Sequence, residues 1–212
     1  MDDEGRKTFV LNERKAKIEH QENLNSLLDH AYNEGVGVCI NCSFNEIMNP
    51  REIRSLAKQL SMSYNLIKKH MAPIKMVLTS FSHDSALYKD CELFGIQNWK
   101  IHKHEQGFWE IFESEKIIVL TPDATEILEE IQHDKVYIIG GLVDTNVKKR
   151  ETLTQASKYG ITCKSLPVKK YFPECKKVVL NVSTVFEILM HKINNLSWED
   201  ALNRCIPVRA KR

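Results

Sequence analysis

The chain has 212 residues with 42% hydrophobic content, enough to fill the core of one large globular domain or two small ones. Lys plus Arg number 30 against 28 Asp plus Glu, so the overall charge announces no polyanionic partner and any basic site must be local. Six cysteines without a disulfide-style framework, an amino terminus lacking the apolar core of a signal peptide, and no apolar run near the ~20 residues that span a bilayer predict a soluble, intracellular protein with free thiols, cytoplasmic or nuclear, with no membrane partner.

In chain order, residues 11 to 34 surround Leu24, Leu27, Leu28 and Ala31 with charges and predict an amphipathic helix ended by Gly35. "VGVCINCSF" (36 to 44) is an apolar run of strand type. A long helical stretch, 45 to 70, follows with Ile53, Leu56, Leu60 and Tyr64 on one face. Further strands are expected at "IKMVLTSF", "KIIVLTP", "KVYIIGG", "CKSLPV" and "KKVVLNV". Helices are expected at "DATEILEEIQ" (123 to 132), at "ETLTQASKYG" stopped by Gly160, and at "STVFEILMHKINN" with Val185, Ile188, Leu189 and Ile193 as its stripe. "SWEDALNR" opens on Ser197 three residues before Asp200, an acidic variant of the capping box. Apolar strands without alternation, separated by helices, predict an α/β fold with a parallel sheet flanked by helices. The economical division is a helical N-terminal arm, 1 to 35, and one domain, 36 to 212.

Ligands of open parallel sheets gather at the carboxyl ends of the strands. Three strands here end in polar loops: "VLTPDATE", "IGGLVDTN" and "LNVST". Gly140 and Gly141 suit either positive φ with close approach of a ligand to main chain, or packing against a neighbouring helix. No GxGxxG follows the first strand and no GxxxxGK[ST] occurs, which disfavours a nicotinamide site. Cys39 and Cys42 form a CxxC, but no second pair follows at zinc spacing. Residues three apart on a strand face opposite ways, so they read as buried apolar thiols. His102 and His104 share a strand-like face without a third ligand, and no metal site is expected; Trp99 and Trp109, which bracket them, suit core or base stacking equally.

"VCINCSFNEIM", "VLTPDATE", "VYIIGGLVDTN", "ITCKSLPVKKY" and "VLNVSTVFEIL", in that order, resemble the tRNA position-9 purine N1-methyltransferases, an atypical branch of the SPOUT superfamily. The likeness runs from about residue 36 to the C-terminus, and the preceding helix fits it too. It implies a C-terminal trefoil knot, S-adenosylmethionine as cofactor, tRNA as partner and a monomeric enzyme. Cofactor contacts are implied for Leu120, Gly140, Gly141, Thr145, Asn146, Lys148, Lys149, Thr152 and Leu166, and for Val179, Leu180 and Asn181. Asp144 is implied as general base, because N1 of guanine must lose its proton before it can attack a methyl group. Adenine has no such proton, so the acid favours guanosine over adenosine. The plain alternative is that Asp144 caps the next helix. Gln59 aligns with a glutamine near the target base, or is simply a solvated helical residue. Arg51, Arg54, Lys58, Lys68, Lys69 and Arg150 supply candidate phosphate contacts.

The pattern departs from the family in two places. Asn41 stands where many relatives have Asp, which removes any electrostatic role of that acid. Only Lys7, Lys15 and Lys17 lie near the start, where relatives are lysine-rich, implying a shortened chain or a different grip on tRNA. A noncatalytic RNA-binding or scaffold subunit of a tRNA-processing complex and an adenosine-9 enzyme are the competing functions.

Overall fold

The computed structural model describes the main chain of residues 3–143, 150–175 and 179–207, and side chains from residue 9 onward. Its described elements are helices α1 (Asp3–Glu34), α2 (Pro50–His70), α3 (Ala86–Glu92), α4 (Phe108–Ile111), α5 (Glu151–Lys158), α6 (Val168–Tyr171), α7 (Val182–Ile193) and α8 (Trp198–Cys205), with strands β1 (Val36–Asn41), β2 (Ile74–Thr79), β3 (His102–Lys103), β4 (Ile117–Leu120), β5 (Val136–Gly140) and β6 (Cys163–Lys164). The strands form one sheet in the order β3-β2-β1-β5-β4-β6, and every pairing is parallel. That is the architecture expected of unalternated apolar strands buried on both faces.

Side chains of the central strands divide between two layers. Val38, Ile40, Met76, Leu78, Ile118, Leu120, Tyr137 and Ile139 join the larger core with α2, α7 and α8. Cys39, Val77, Ile117, Val119 and Ile138 face a smaller core closed by Phe108 and Ala156. Cys42 belongs to the larger layer and Cys39 to the smaller, so the CxxC thiols point to opposite sides of the sheet.

The helix starts follow from local chemistry. Asn49 caps α2 by accepting from the N–H groups of Arg51 and Glu52, while the Glu52 carboxylate accepts from the Asn49 N–H at 2.8 Å. Pro50 follows at the first helical position, where its missing N–H costs nothing. Ser197 caps α8 through the Asp200 N–H and donates its hydroxyl to the Asp200 carboxylate at 2.7 Å.

Among the described residues, two expected elements do not form. Residues 123 to 132 form no helix; they run as a strap whose Ile127 bridges Ser165 beyond β6. The strap's polar groups are claimed from outside. The Trp198 indole donates to the Glu129 carbonyl at 2.6 Å, and the Tyr137 hydroxyl accepts from the Gln132 N–H at 2.7 Å. Lys170 and Lys192 pair with Glu129 and Glu130. These tertiary partners override the helical pattern of "DATEILEEIQ". The strand expected at "KKVVLNV" is also missing from its described part: Val179, Leu180 and Asn181 are irregular, and α7 has already begun at Val182. The described residues do not show the knot implied by the resemblance; 144–149 and 176–178 lie outside them.

α1 is longer than expected, starting at Asp3. Residues 9 to 23 are exposed throughout; contact with the body begins at Leu24 and continues through Leu27, Leu28 and Ala31. The Tyr32 ring then stacks on His102 at 3.9 Å, and its carbonyl meets His102 Nε2 at 2.9 Å. No helix is long and apolar enough to cross a membrane among the described residues.

Candidate active site

Because the sheet is parallel, β1, β4, β5 and β6 deliver their carboxyl ends to one edge. Register places Asn41 opposite Gly140, Ile139 opposite Leu120, and Leu120 opposite Lys164. The segment after each strand therefore opens on the same rim. Leu120 is buried there, and Leu142, Leu166 and Leu180 pack half-buried against the same core. Val179 and Asn181, expected beside them, are exposed, Val179 at 61%.

The two glycines are explained by the chain itself. A Cβ on Gly140 would stand 2.5 Å from Thr152 Oγ1, and one on Gly141 would stand 2.5 Å from the Asn41 carbonyl oxygen. Neither glycine has positive φ. Packing against a neighbour, one of the readings open to the sequence, has its partners here: Gly140 admits α5, and Gly141 admits β1, to whose Asn41 carbonyl it donates its N–H at 2.8 Å. The result ties three elements together at the rim.

Asn41, 1% exposed, extends this knot of contacts. Its amide donates to Gln155 Oε1 at 2.7 Å, Gln155 donates to the Ser43 hydroxyl at 2.9 Å, and the Ser43 N–H returns to Asn41 Oδ1 at 3.2 Å. An aspartate has no N–H to donate in the first of these bonds, so the amide here serves as a joint between β1 and α5. Sequence reading marked Asn41 only as a lost acid and missed Gln155 and Ser43, because no local pattern announces a partner more than a hundred positions away.

Asp144, Thr145, Asn146, Lys148 and Lys149 lie outside the described residues. Both flanks of that segment are anchored at the rim. The Val143 N–H meets Met48 Sδ at 3.4 Å on one side, and Thr152 rests against Gly140 on the other.

Gln59 is not solvated. It is 8% exposed and reaches from α2 to the start of α7, where its Oε1 accepts from the Ser183 N–H at 3.4 Å while Nε2 donates to Ser55 Oγ at 3.3 Å. The N-cap residue of α7, Asn181, makes no side-chain capping bond, so Gln59 satisfies from another helix one of the donors a cap would take.

The basic candidates separate into two groups. Arg51, Arg54 and Lys58 are exposed on one face of the first half of α2, beside the rim, although Arg54 is within 3.9 Å of Asp90. Arg150 is exposed with φ of 66°. Lys69 lies 18 residues beyond Arg51, about 27 Å along the helix axis. Lys68 stands 4.9 Å over the Tyr64 ring, away from the rim. Trp99 stacks on Tyr64 and donates its indole N–H to the Phe94 carbonyl, and Trp109 stacks on Tyr159 at 4.4 Å, so both rings are already packed.

Similarity to known proteins falls on this same framework. A model of the family described as tRNA (guanine(9)-N(1))-methyltransferase TRM10/TRM10A matches residues 3–211. Among curated relatives, tRNA methyltransferase 10 homolog B of Danio rerio is 34% identical over 188 residues, 85% of this chain and 61% of that protein. A tRNA (guanine(9)-N1)-methyltransferase of Schizosaccharomyces pombe is 32% identical over 206 residues, 93% of this chain and 68% of its own length. The chain spans about three fifths of the length of the homolog B relatives it matches, 61% and 59% for the Danio rerio and Bos taurus proteins. Among solved structures, full-length spTrm10 in complex with SAH superposes with a TM-score of 0.73 at 29% identity, covering 81% of this chain and 95% of that one. With a fold that superposes on spTrm10 and a family match that runs almost from end to end, the chain belongs to the tRNA (guanine(9)-N(1))-methyltransferase TRM10/TRM10A family.

Proposed function

We propose that this protein transfers a methyl group from S-adenosylmethionine to N1 of the purine at position 9 of tRNA, guanosine preferred, acting as a monomer. The observation that carries the reading is the rim itself, where the described part of the GGLVD loop is pinned to β1, to Met48 just before α2, and to α5 in a chain similar to an SAH-bound Trm10. SAH is what S-adenosylmethionine becomes once its methyl is lost.

The residues present fit such a cofactor. Leu120, Leu142, Leu166 and Leu180 offer apolar walls beside the exposed residues Val179 and Asn181, a combination suited to a flat ring with a hydrogen-bonding edge. When bound, the cofactor supplies an electrophilic methyl on a sulfonium. The chain's own contribution is to hold the base and to take its proton. In this reading Asp144, the residue after the anchored Val143, accepts the N1 hydrogen of guanine, so that the ring lone pair is free to attack. Arg51, Arg54, Lys58 and Arg150 hold the phosphate backbone near the rim, and exposing a purine edge engaged in the tRNA core draws on those contacts. Gln59 acts as a positioning residue for α7.

The test is incubation with tRNA transcripts carrying guanosine or adenosine at position 9 and labelled cofactor, followed by mapping of the modified nucleoside. Asp144→Asn slows single-turnover transfer to guanosine by about 10²–10⁴-fold while calorimetry shows cofactor binding retained. Full turnover by that variant removes the general-base role. Failure to bind S-adenosylmethionine favours a scaffold subunit instead. Sedimentation at twice 24.6 kDa overturns the monomer.

A further inference from the structure

The far end of α7 brings together three side chains that the methyl-transfer reading does not use. Glu187 and His191, four residues apart, share one face of α7, and Cys205 closes α8 against them. One donor atom from each lies within 4.8 Å of the other two. His191 Nε2 stands 4.0 Å from Glu187 Oε1, too far for a hydrogen bond to close between them. His191 is 6% exposed, and Glu187 and Cys205 are half-buried, which leaves the group shielded yet reachable. His191 is nine residues past Val182, about 13 Å along the helix from its first turn and the methyl-donor rim.

We propose that Glu187, His191 and Cys205 form a zinc(II) site, with water in the fourth position, that clamps α8 to α7. A thiolate, an imidazole and a carboxylate suit a borderline-soft, tetrahedral ion better than magnesium or calcium, which seek oxygen alone. Binding is a ligand exchange without redox change: the Cys205 sulfur forms a bond to zinc and its proton passes to solvent. Burial, opposed by Glu187, holds the His191 imidazole toward its neutral form, with His70 and Arg204 acting in the same direction as burial. Burial, followed by Glu187, pushes the Cys205 thiol up to about 12 against the pull of Arg204, so the thiol keeps its proton until a metal displaces it. The sequence does not announce the site because Glu187, His191 and a lone Cys205 make none of the Cys and His pairs by which zinc motifs are recognised.

The test uses the full chain, stripped with chelator and kept reduced by a phosphine. Titration with zinc(II) gives one equivalent bound, release of one proton, and a rise in Tm of about 5 °C or more at a hundredfold excess over Kd. Zinc slows iodoacetamide alkylation at Cys205 by about tenfold or more, read by peptide mass spectrometry, without changing Cys163. Cobalt(II) in place of zinc shows a thiolate-to-metal charge-transfer band that disappears in Cys205→Ser and persists in Cys163→Ser. Unchanged alkylation of Cys205 in the wild-type chain, or a charge-transfer band that survives Cys205→Ser, overturns the site, and neither reading requires the methyltransferase to be active.

Discussion

Adding one methyl group at Gly141 is the sharpest probe of the rim. An alanine Cβ there meets the Asn41 carbonyl oxygen at 2.5 Å, its carbon at 3.2 Å and Ile40 Cγ2 at 3.3 Å. The obstacle is backbone of a central strand, so β1 and the Gly141 segment must part by several tenths of an ångström. Overpacking of this kind costs about 1–3 kcal/mol, and the Gly141 N–H bond to Asn41, strained by the same movement, adds about 1 kcal/mol. A total of about 2–4 kcal/mol lowers Tm by about 4–16 °C for a chain of this size. Gly140→Ala differs in kind. Its Cβ meets the Thr152 side chain, Oγ1 at 2.5 Å, Cγ2 at 3.4 Å and Cβ at 3.5 Å. Thr152→Ala deletes the first two atoms and leaves the third at ordinary contact distance. The double variant Gly140→Ala/Thr152→Ala therefore melts within about 2 °C of Thr152→Ala alone, whereas no change at Thr152 rescues Gly141→Ala. Differential scanning calorimetry with urea titration measures all six proteins: the parent, the three single variants, and Thr152→Ala combined with each glycine change. A Gly141→Ala protein as stable as the parent, or a Gly140→Ala defect indifferent to Thr152, refutes the self-packing explanation and returns both glycines to the ligand.

Gln59→Leu leaves the Ser183 N–H at the start of α7 without its acceptor and lowers urea stability by about 1 kcal/mol; an unchanged midpoint means that the bond contributes nothing. Burial, followed by His102, lowers the pKa of His104 below 6.5, so the unfolded chain binds that proton first. Stability from this group is full above its unfolded value and declines as pH falls through the folded one, and His104→Gln flattens part of that slope between about pH 7 and 5 in urea titrations. A slope identical in both proteins excludes His104. Burial pushes the Cys39 and Cys91 thiols up to about 12 and Cys42 well above its ordinary value, so alkylation of these three is about 100-fold slower in the folded chain than in urea. Rapid labelling of Cys39 in native buffer contradicts its burial.

The four longer strands were legible because each is an uninterrupted apolar run, and their carboxyl ends located the rim before any coordinates. β6, two residues long, opens the expected "CKSLPV" strand but is cut short, whereas β3, also two residues, carries no periodic signal and exists only because β2 offers it a ladder. The strap at 123 to 132 misled for the opposite reason: its spacing is helical, but Trp198, Tyr137 and two lysines take its polar groups. Gln59 deceived by composition, since a glutamine amid charged helix residues gives no hint that its amide reaches α7. The apolar wall of Leu120, Leu166 and Leu180 was placed through family likeness, and its half-buried packing follows from strand register that no single segment encodes.

The strand order has a consequence for synthesis. β1 acquires β2 as a partner soon after leaving the ribosome, but its other edge pairs with β5, which emerges about 100 residues later, some 5–20 s at ordinary elongation rates. Throughout that interval the nascent chain carries an apolar strand with one unsatisfied side, a vacancy that a chaperone or a neighbouring polypeptide is able to fill before the rest of the protein is made.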